Sequence, residues 1–160
     1  MHARTRIARS ANLCVVAAVV AAALASVARA GQVPADVKTA LETSKYVYIS
    51  STRKDGSLGK PAEIWFLYHK GAVYVGTPPT SWRAKRIKKG RTTAKIAVGK
   101  VDGPSFTATG AIVNEPDVLP VLYEAYAKKY SDGWPQFEQN FCTGFKDGSR
   151  VLIQYTPTGN

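Results

Sequence analysis

Between Ser81 and Lys95 the sequence carries Arg83, Lys85, Arg86, Lys88, Lys89, Arg91 and Lys95, and no acidic residue. Those seven positive charges in fifteen residues are the densest chemistry-bearing feature of the chain. A guanidinium places two parallel N–H groups against two phosphate or carboxylate oxygens, so Arg83 with Lys85 close by suits an anion. Ser81 stands just ahead of them, where its hydroxyl would cap a helix whose free N–H groups also favour negative charge. Two other readings stay open, a solvated helix face and a nucleic-acid surface. The segment has no helix-turn-helix or RNA-binding signature, which argues against the second.

The other reactive side chains are few. From Gly31 onward there is one histidine, His69, and one cysteine, Cys142. A zinc site of Cys and His ligands alone needs three or four of them and is excluded. An intrachain disulfide is excluded for the same stretch, and a Ser-His-acid triad would have to run through His69. His69 reads as an exposed turn histidine, with an axial haem ligand as the alternative. Cys142, in Asn140-Phe141-Cys142-Thr143, has no basic residue within three positions to lower its pKa, so it reads as a packed thiol.

The chain of 160 residues has a formal net charge of +11 and is 45% hydrophobic, which suits one packed domain and excludes global disorder. It is too short for an eight-fold α/β barrel or a large multidomain enzyme. Residues 1–30 have the three-part layout of a secretory leader. Arg4, Arg6 and Arg9 precede an apolar run from Leu13 to Val27, and Ala28-Arg29-Ala30 is a small-x-small cleavage site. The run falls short of the ~20 residues that span a bilayer. Cleavage after Ala30 is expected, giving a periplasmic or secreted protein with its domain in residues 31–160. From Gly31 onward the charge is +7, and outside the Ser81–Lys95 segment basic and acidic residues balance at 11 each. The whole excess therefore sits in one patch.

The elements that must position this patch read mainly as strands. A short helix is expected over residues 35–43, with Val37 and Leu41 on one face and Pro34 ahead of it. Residues 45–52, 60–69 and 72–77 alternate and are rich in β-branched and aromatic residues, with turns at Lys54-Asp55-Gly56 and Lys70-Gly71. They are expected to form a meander. A basic helix over 82–89 follows, with Trp82 and Ile87 as its core contacts and Gly90 as its stop. Strands are expected at 92–101 and 105–113, then a helix from Pro116 to Tyr130 with Val118, Leu122, Tyr126 and Tyr130 on one stripe. Residues 131–149 read as a long aromatic-rich loop with room for a short helix, and 150–156 as the last strand. Six mostly antiparallel strands in so short a chain hide their edges most economically in a closed barrel, with an open sandwich as the alternative that periodicity leaves open.

The segment STRKDGSLGKPAEIWFLYHKGAVYVGT and the order of elements resemble the split β-barrel flavin-binding superfamily, the pyridoxamine 5′-phosphate oxidase-like proteins. The branch with deazaflavin-dependent reductases is nearest in pattern. The resemblance runs from about Val37 to Tyr130 and is carried best by Trp65-Phe66 and by Gly71-x-x-Tyr74. It implies a six-stranded split barrel, a homodimer with its ligand site between subunits, and FMN or the deazaflavin coenzyme as cofactor, with haem as a third choice. It also implies site residues. Thr77 matches a Thr at the end of the third strand, and Arg83, six residues on, takes the place of a phosphate-binding Lys, with Ser81 and Lys85 beside it. Ile64, Trp65 and Phe66 match the wall against which the ring lies; since residues alternate across a strand, Ile64 and Phe66 share one face and Trp65 takes the other. The chain departs from the pattern with Gly90-Arg91 where the family carries Asn-Pro, and with Pro78-Pro79 in the preceding loop. The implied function is that of an oxidoreductase or a flavin-binding protein, the alternative being a non-catalytic ligand-binding barrel. No metal, no nucleic acid and, once the leader is cleaved, no membrane is expected as partner.

Overall fold

In the computed structural model, which describes residues 31–158, eleven elements follow one another. They are α1 (Ala35–Thr43), β1 (Val47–Ser51), β2 (Ala62–Ile64), β3 (Leu67–His69), β4 (Ala72–Thr77), α2 (Trp82–Lys88), β5 (Thr93–Val98), β6 (Ser105–Val113), α3 (Val118–Lys129), α4 (Trp134–Asp147) and β7 (Val151–Pro157). The expected leader lies outside the described residues.

All seven strands belong to one antiparallel sheet in the order β2-β1-β5-β6-β7-β4-β3. Its two end strands, β2 and β3, are separated in the chain only by Trp65 and Phe66. Two residues span no more than about 11 Å between flanking Cα atoms, so the sheet has to curl until its ends meet. Covalent continuity at this corner brings the edges together, where a fully closed barrel would use hydrogen bonds. That is a split barrel, with the split at Trp65-Phe66.

The expected second strand, 60–69, is thus broken into β2 and β3, and the sheet has seven strands where six were expected. Both hairpin pairings of the expected meander form, β1 with β2 and β3 with β4, but the break between β2 and β3 parts them. β1 pairs with β2 and with β5, while β4 pairs with β3 and β7, so the early strands lie at opposite ends of the sheet. The period-two pattern cannot show a bend, because side-chain alternation continues through it. Ile64 and Phe66 face one apolar cluster and Trp65 the other. The β3–β4 turn is tight, with Lys70 and Gly71 at φ 48° and 79°, both in the region a two-residue hairpin of this hand requires.

The first cluster fills the barrel with Val47, Ile49, Phe66, Val73, Val75, Ile96, Ile153 and Tyr155, closed at one end by Val37 and Leu41 of α1. The second lies outside it, between the sheet and α3 and α4, with Tyr74, Leu122, Tyr126, Tyr130, Trp134, Phe141 and Leu152. β4 therefore buries both faces, Val73 and Val75 inward and Ala72 and Tyr74 outward. α3 brings Val118, Leu122, Tyr126 and Tyr130 onto one buried stripe, as the i,i+4 spacing predicts. The aromatic segment after it forms the fourteen-residue helix α4, a larger element than the short helix allowed for there. Pro135 near its start and Gly148 in the left-handed region after its end bound it.

α3 also seals the split. A bent chain leaves backbone groups without ladder partners, and burying them unpaired costs about 1–3 kcal/mol each. Tyr126 donates its hydroxyl to Trp65 O at 2.9 Å, and the Phe66 amide donates to the Tyr130 hydroxyl at 2.9 Å. Lys129 Nζ lies 3.4 Å from Phe66 O and 3.6 Å above the Phe66 ring.

Candidate binding site at the barrel split

α2 is short, and its charges divide by face. Ser81 caps it, accepting from the Ala84 amide at 3.3 Å, and Ala84 is the residue it buries fully. Ile87 packs on the barrel cluster, whereas Trp82, expected to be a core contact, is 73% exposed. With one buried Ala as its footing, the helix sits too close to the barrel for an indole to fit beneath it. Arg83 and Arg86 are half-buried, while Lys85, Lys88 and Lys89 are exposed.

Arg83 stands where two clefts meet. The first, of about 370 Å³, has an apolar wall of Ile64, Trp65, Phe137 and Phe141, with Thr77 and Arg83 at its end. The second, of about 440 Å³, is lined by Arg53, Lys60, Arg83 and Arg86 together with Ser51, Ser81 and Trp82, and contains no carboxylate. Both lie within the ~300–1,000 Å³ typical of small-molecule sites. A further cleft of about 490 Å³ beside Gly31, Lys70 and Pro157 has only Tyr68 as an aromatic wall.

The apolar wall is rigid. The Trp65 ring stacks on Tyr130 with centroids 4.3 Å apart and planes 4° apart, and Phe137 meets it edge-on at 5.5 Å. Phe141 lies behind, with the Arg150 guanidinium 3.8 Å over its ring. Gly76 permits this arrangement, because a Cβ there would come within 2.7 Å of Phe141 Cε1 and 2.9 Å of Phe145 Cζ. α4 can therefore lie flat on β4 and present Phe137 and Phe141 to the cleft.

The polar end is electrostatically incomplete. The two ion pairs among the described residues, Lys45–Asp132 and Lys100–Asp102, are both elsewhere. Arg83 Nη1 donates to Thr77 Oγ1 at 3.3 Å, and burial pushes its pKa down. Glu63, which also lines the apolar cleft, accepts from the Tyr48 hydroxyl and makes no ion pair with Arg83. The buried Tyr155 hydroxyl makes no well-formed hydrogen bond among the described residues; burial pushes its pKa up to about 12, while Arg83 and the nearby Ser51 side chain pull it back. Arg86 is held differently, with Nη1 donating to Ser51 O at 2.9 Å.

Of the expected site residues, Ile64, Trp65, Thr77 and Arg83 come together at the first cleft, and Ser81 joins Arg83 at the second. Phe66 is fully buried in the barrel, and Lys85 lies in solvent with its ammonium 5.4 Å from the Trp82 ring. Neither lines a cleft. The sequence did not point to Arg53, Lys60 or Arg150; Arg86 stood out only as one member of the basic segment, and Phe137 and Phe141, with Trp134 and Phe145, only as aromatics that cap the barrel or line a partner subunit, ligand stacking being the alternative. Arg86 follows Arg83 at helical spacing, and Phe137 and Phe141 are four apart; those signals were present. Arg53 and Lys60 lie in the β1–β2 hairpin, whose turn the sequence displays; what it does not display is that α2 packs beside that hairpin. His69, on β3 with its ring 6.5 Å from Tyr74, lines neither cleft. Cys142 is half-buried on α4. No group of three or more His, Cys, Asp or Glu that could hold a metal ion occurs among the described residues.

No protein-family model and no curated protein matches the sequence. Solved structures do resemble the fold. A protein related to general stress protein 26, of the pyridoxinephosphate oxidase family, from Clostridium acetobutylicum superposes with a TM-score of 0.52 at 17% identity, over 76% of this chain and 80% of that one. An F420 reductase superposes with a TM-score of 0.50 at 18% identity, over 76% and 93%. HutZ, the haem storage protein of Vibrio cholerae, gives 0.51 at 11% identity, over 81% and 92%. At such identities the likeness concerns the fold alone, and it agrees with the curled seven-stranded sheet and its open corner: the chain has the split β-barrel fold that these proteins share.

Proposed function

We propose that this barrel binds a flavin-type cofactor, FMN or the deazaflavin coenzyme, with its ring in the Trp65–Phe137–Phe141 cleft and its phosphate on Arg83. The observation that carries this reading is Arg83 itself. It is a half-buried guanidinium without a carboxylate partner among the described residues, and it lines both an aromatic cleft and a cationic one. A desolvated, unpaired charge is costly in a fold, and a bound anion offsets that cost. A flavin has matching parts: a flat apolar ring at one end, a phosphate at the other, and hydroxyls between them. Such a cofactor supplies hydride transfer itself. The chain's own residues then bind and orient it. Trp65, stiffened by Tyr130, fixes the plane of the ring, Phe137 and Phe141 keep water from it, and Arg83, Arg53 and Lys60 hold the phosphate.

An oxidoreductase follows from this reading, with a non-catalytic binding barrel as the alternative. The position of His69 outside both clefts favours a flavin over haem. The test is the absorbance spectrum of protein purified from its native compartment, followed by titration of the stripped protein with FMN. A flavin spectrum that is restored on titration supports the reading. A Soret band, or no saturable FMN binding, overturns it. A cofactor that binds but is not reduced by any nicotinamide or deazaflavin donor selects the non-catalytic barrel.

Two further parts of the reading concern the whole chain. The apolar cleft is open on one side, with Phe137 41% exposed, which supports a homodimer whose partner covers it. A light-scattering mass of one chain at micromolar concentration would remove the dimer. Export with cleavage after Ala30 fits the Gly31 amide donating to Pro157 O at 2.8 Å, a bond that a processed N-terminal ammonium would keep. The intact mass of the exported protein decides it.

A further inference from the structure

The exposed lysines of α2 are not used by the cofactor reading, and Trp82, although it lines the cationic cleft, is given no part there in holding the cofactor. Trp82, Lys85 and Lys89 follow one another at i, i+3 and i+7, with Lys88 beside them, so all four share one side of the helix. The three lysines are exposed, and the Trp82 ring, itself 73% exposed, lies 5.4 Å from Lys85 Nζ and 6.0 Å from the Arg86 guanidinium. Arg53 and Lys60 line the cleft beside the same indole. No acidic residue occurs between Ser81 and Lys95, and the rest of the chain from Gly31 onward is charge-balanced. The most exposed large hydrophobic side chain among the described residues thus stands in water within the segment that carries the net charge.

An indole in this position has an apolar body and a polar N–H, and long lysine stems can cover apolar surface while their ammonium groups stay wet. That combination suits the headgroup layer of a bilayer, where tryptophan is enriched and anionic lipids attract basic side chains. We propose that this face of α2 docks on an anionic lipid surface. Charge complementarity sets the sign of the partner, and the central indole selects a lipid surface over a purely polar polyanion. The contact is peripheral and needs no spanning segment; among the described residues no helix is long and apolar enough to cross a membrane. The expectation of no membrane partner once the leader is cleaved concerns a leader or spanning segment, and a peripheral contact through the exposed Trp82 departs from it.

The test uses the protein with its native N-terminus, sedimented with vesicles of phosphatidylcholine alone or of phosphatidylcholine mixed with phosphatidylglycerol. Binding to the mixed vesicles only, weakened by salt, with a blue shift of tryptophan emission, is the expected result. Trp82→Phe should remove the shift, leaving the contributions of Trp65 and Trp134. Lys88→Gln and Lys89→Gln should each lower the vesicle partition coefficient about fivefold. These residues are exposed, and an unchanged urea midpoint confirms folding in each variant. Absence of binding, equal binding to neutral vesicles, or preference for duplex DNA or an acidic peptide over the mixed vesicles would overturn the proposal.

Discussion

Arg83 and Arg86 leave α2 on the side of the barrel, and Lys85, Lys88 and Lys89 leave it toward solvent. All five carry the same charge within two turns of one helix. Their surroundings differ in water content: the arginines are half-buried and the lysines are not. Guanidinium is less strongly hydrated than ammonium and has a planar fork of donors, so it is the cation that tolerates the inner side. A run of basic residues is therefore not one feature. Its inner members can hold a ligand or a backbone carbonyl, and its outer members form a field.

The largest effect should come from Arg83→Ala. If its guanidinium grips a phosphate, FMN affinity should fall about 10- to 100-fold, at roughly 1.5–3 kcal/mol for a charge-assisted hydrogen bond. The urea midpoint should hold or rise, because the variant removes a desolvated charge that lacks a counter-ion. A fluorescence titration beside an unfolding curve separates the two. Equal affinities for wild type and variant would dissolve the distinction between the faces.

Arg86→Ala should act in the opposite way. Arg86 binds Ser51 O, and leaving that carbonyl unsatisfied should cost about 1–3 kcal/mol of stability. Unfolding in urea measures it. If FMN affinity falls while stability holds, both inner arginines are ligand groups and the comparison becomes simpler.

Lys129 asks whether partial burial of a cation is enough to mark a site. It lies over the Phe66 ring, and burial pushes its pKa down to about 8. Between that value and the ordinary lysine value near 10.4, the unfolded chain binds more protons than the fold. Stability should therefore rise with pH across this window, while FMN affinity shows no Lys129 dependence. Lys129→Met should flatten the rise. Above about pH 10 the buried tyrosines act the other way. The folded pKa values of Tyr126, Tyr130 and Tyr155 are raised by burial, so stability is lost as the unfolded chain ionises first. Urea midpoints of the two proteins across pH isolate the lysine.

The smallest effect belongs to Lys88→Ala. An exposed lysine with no ion pair should change stability by less than about 0.5 kcal/mol, and FMN affinity should stay within about twofold of wild type, well short of the loss from a broken charge-assisted bond. A tenfold loss in the same titration would extend the anion site to the outer face.

The sequence by itself determined the patterns that depend on near neighbours. Alternation fixed which residues face the barrel, i,i+4 spacing fixed the buried stripe of α3, and the basic run with its capping Ser81 fixed α2 and the position of Arg83 six residues after Thr77. Tertiary structure decided what depends on distance in space. Whether 60–69 runs straight or bends at Trp65-Phe66 depends on Tyr126 and Tyr130, sixty residues away, whose hydroxyls satisfy the bent backbone. Whether Trp82 packs inward depends on how close α2 lies to the barrel, which buried Ala84 sets. Phe137 and Phe141 became a cleft wall because Gly76 lets α4 approach β4, and Arg53 and Lys60 joined Arg83 because α2 packs beside the β1–β2 hairpin, with Arg86 bound to Ser51 O. Local periodicity assigns a side chain to a face; only packing determines what that face meets, because burial and unpaired charge are properties of the assembled surfaces.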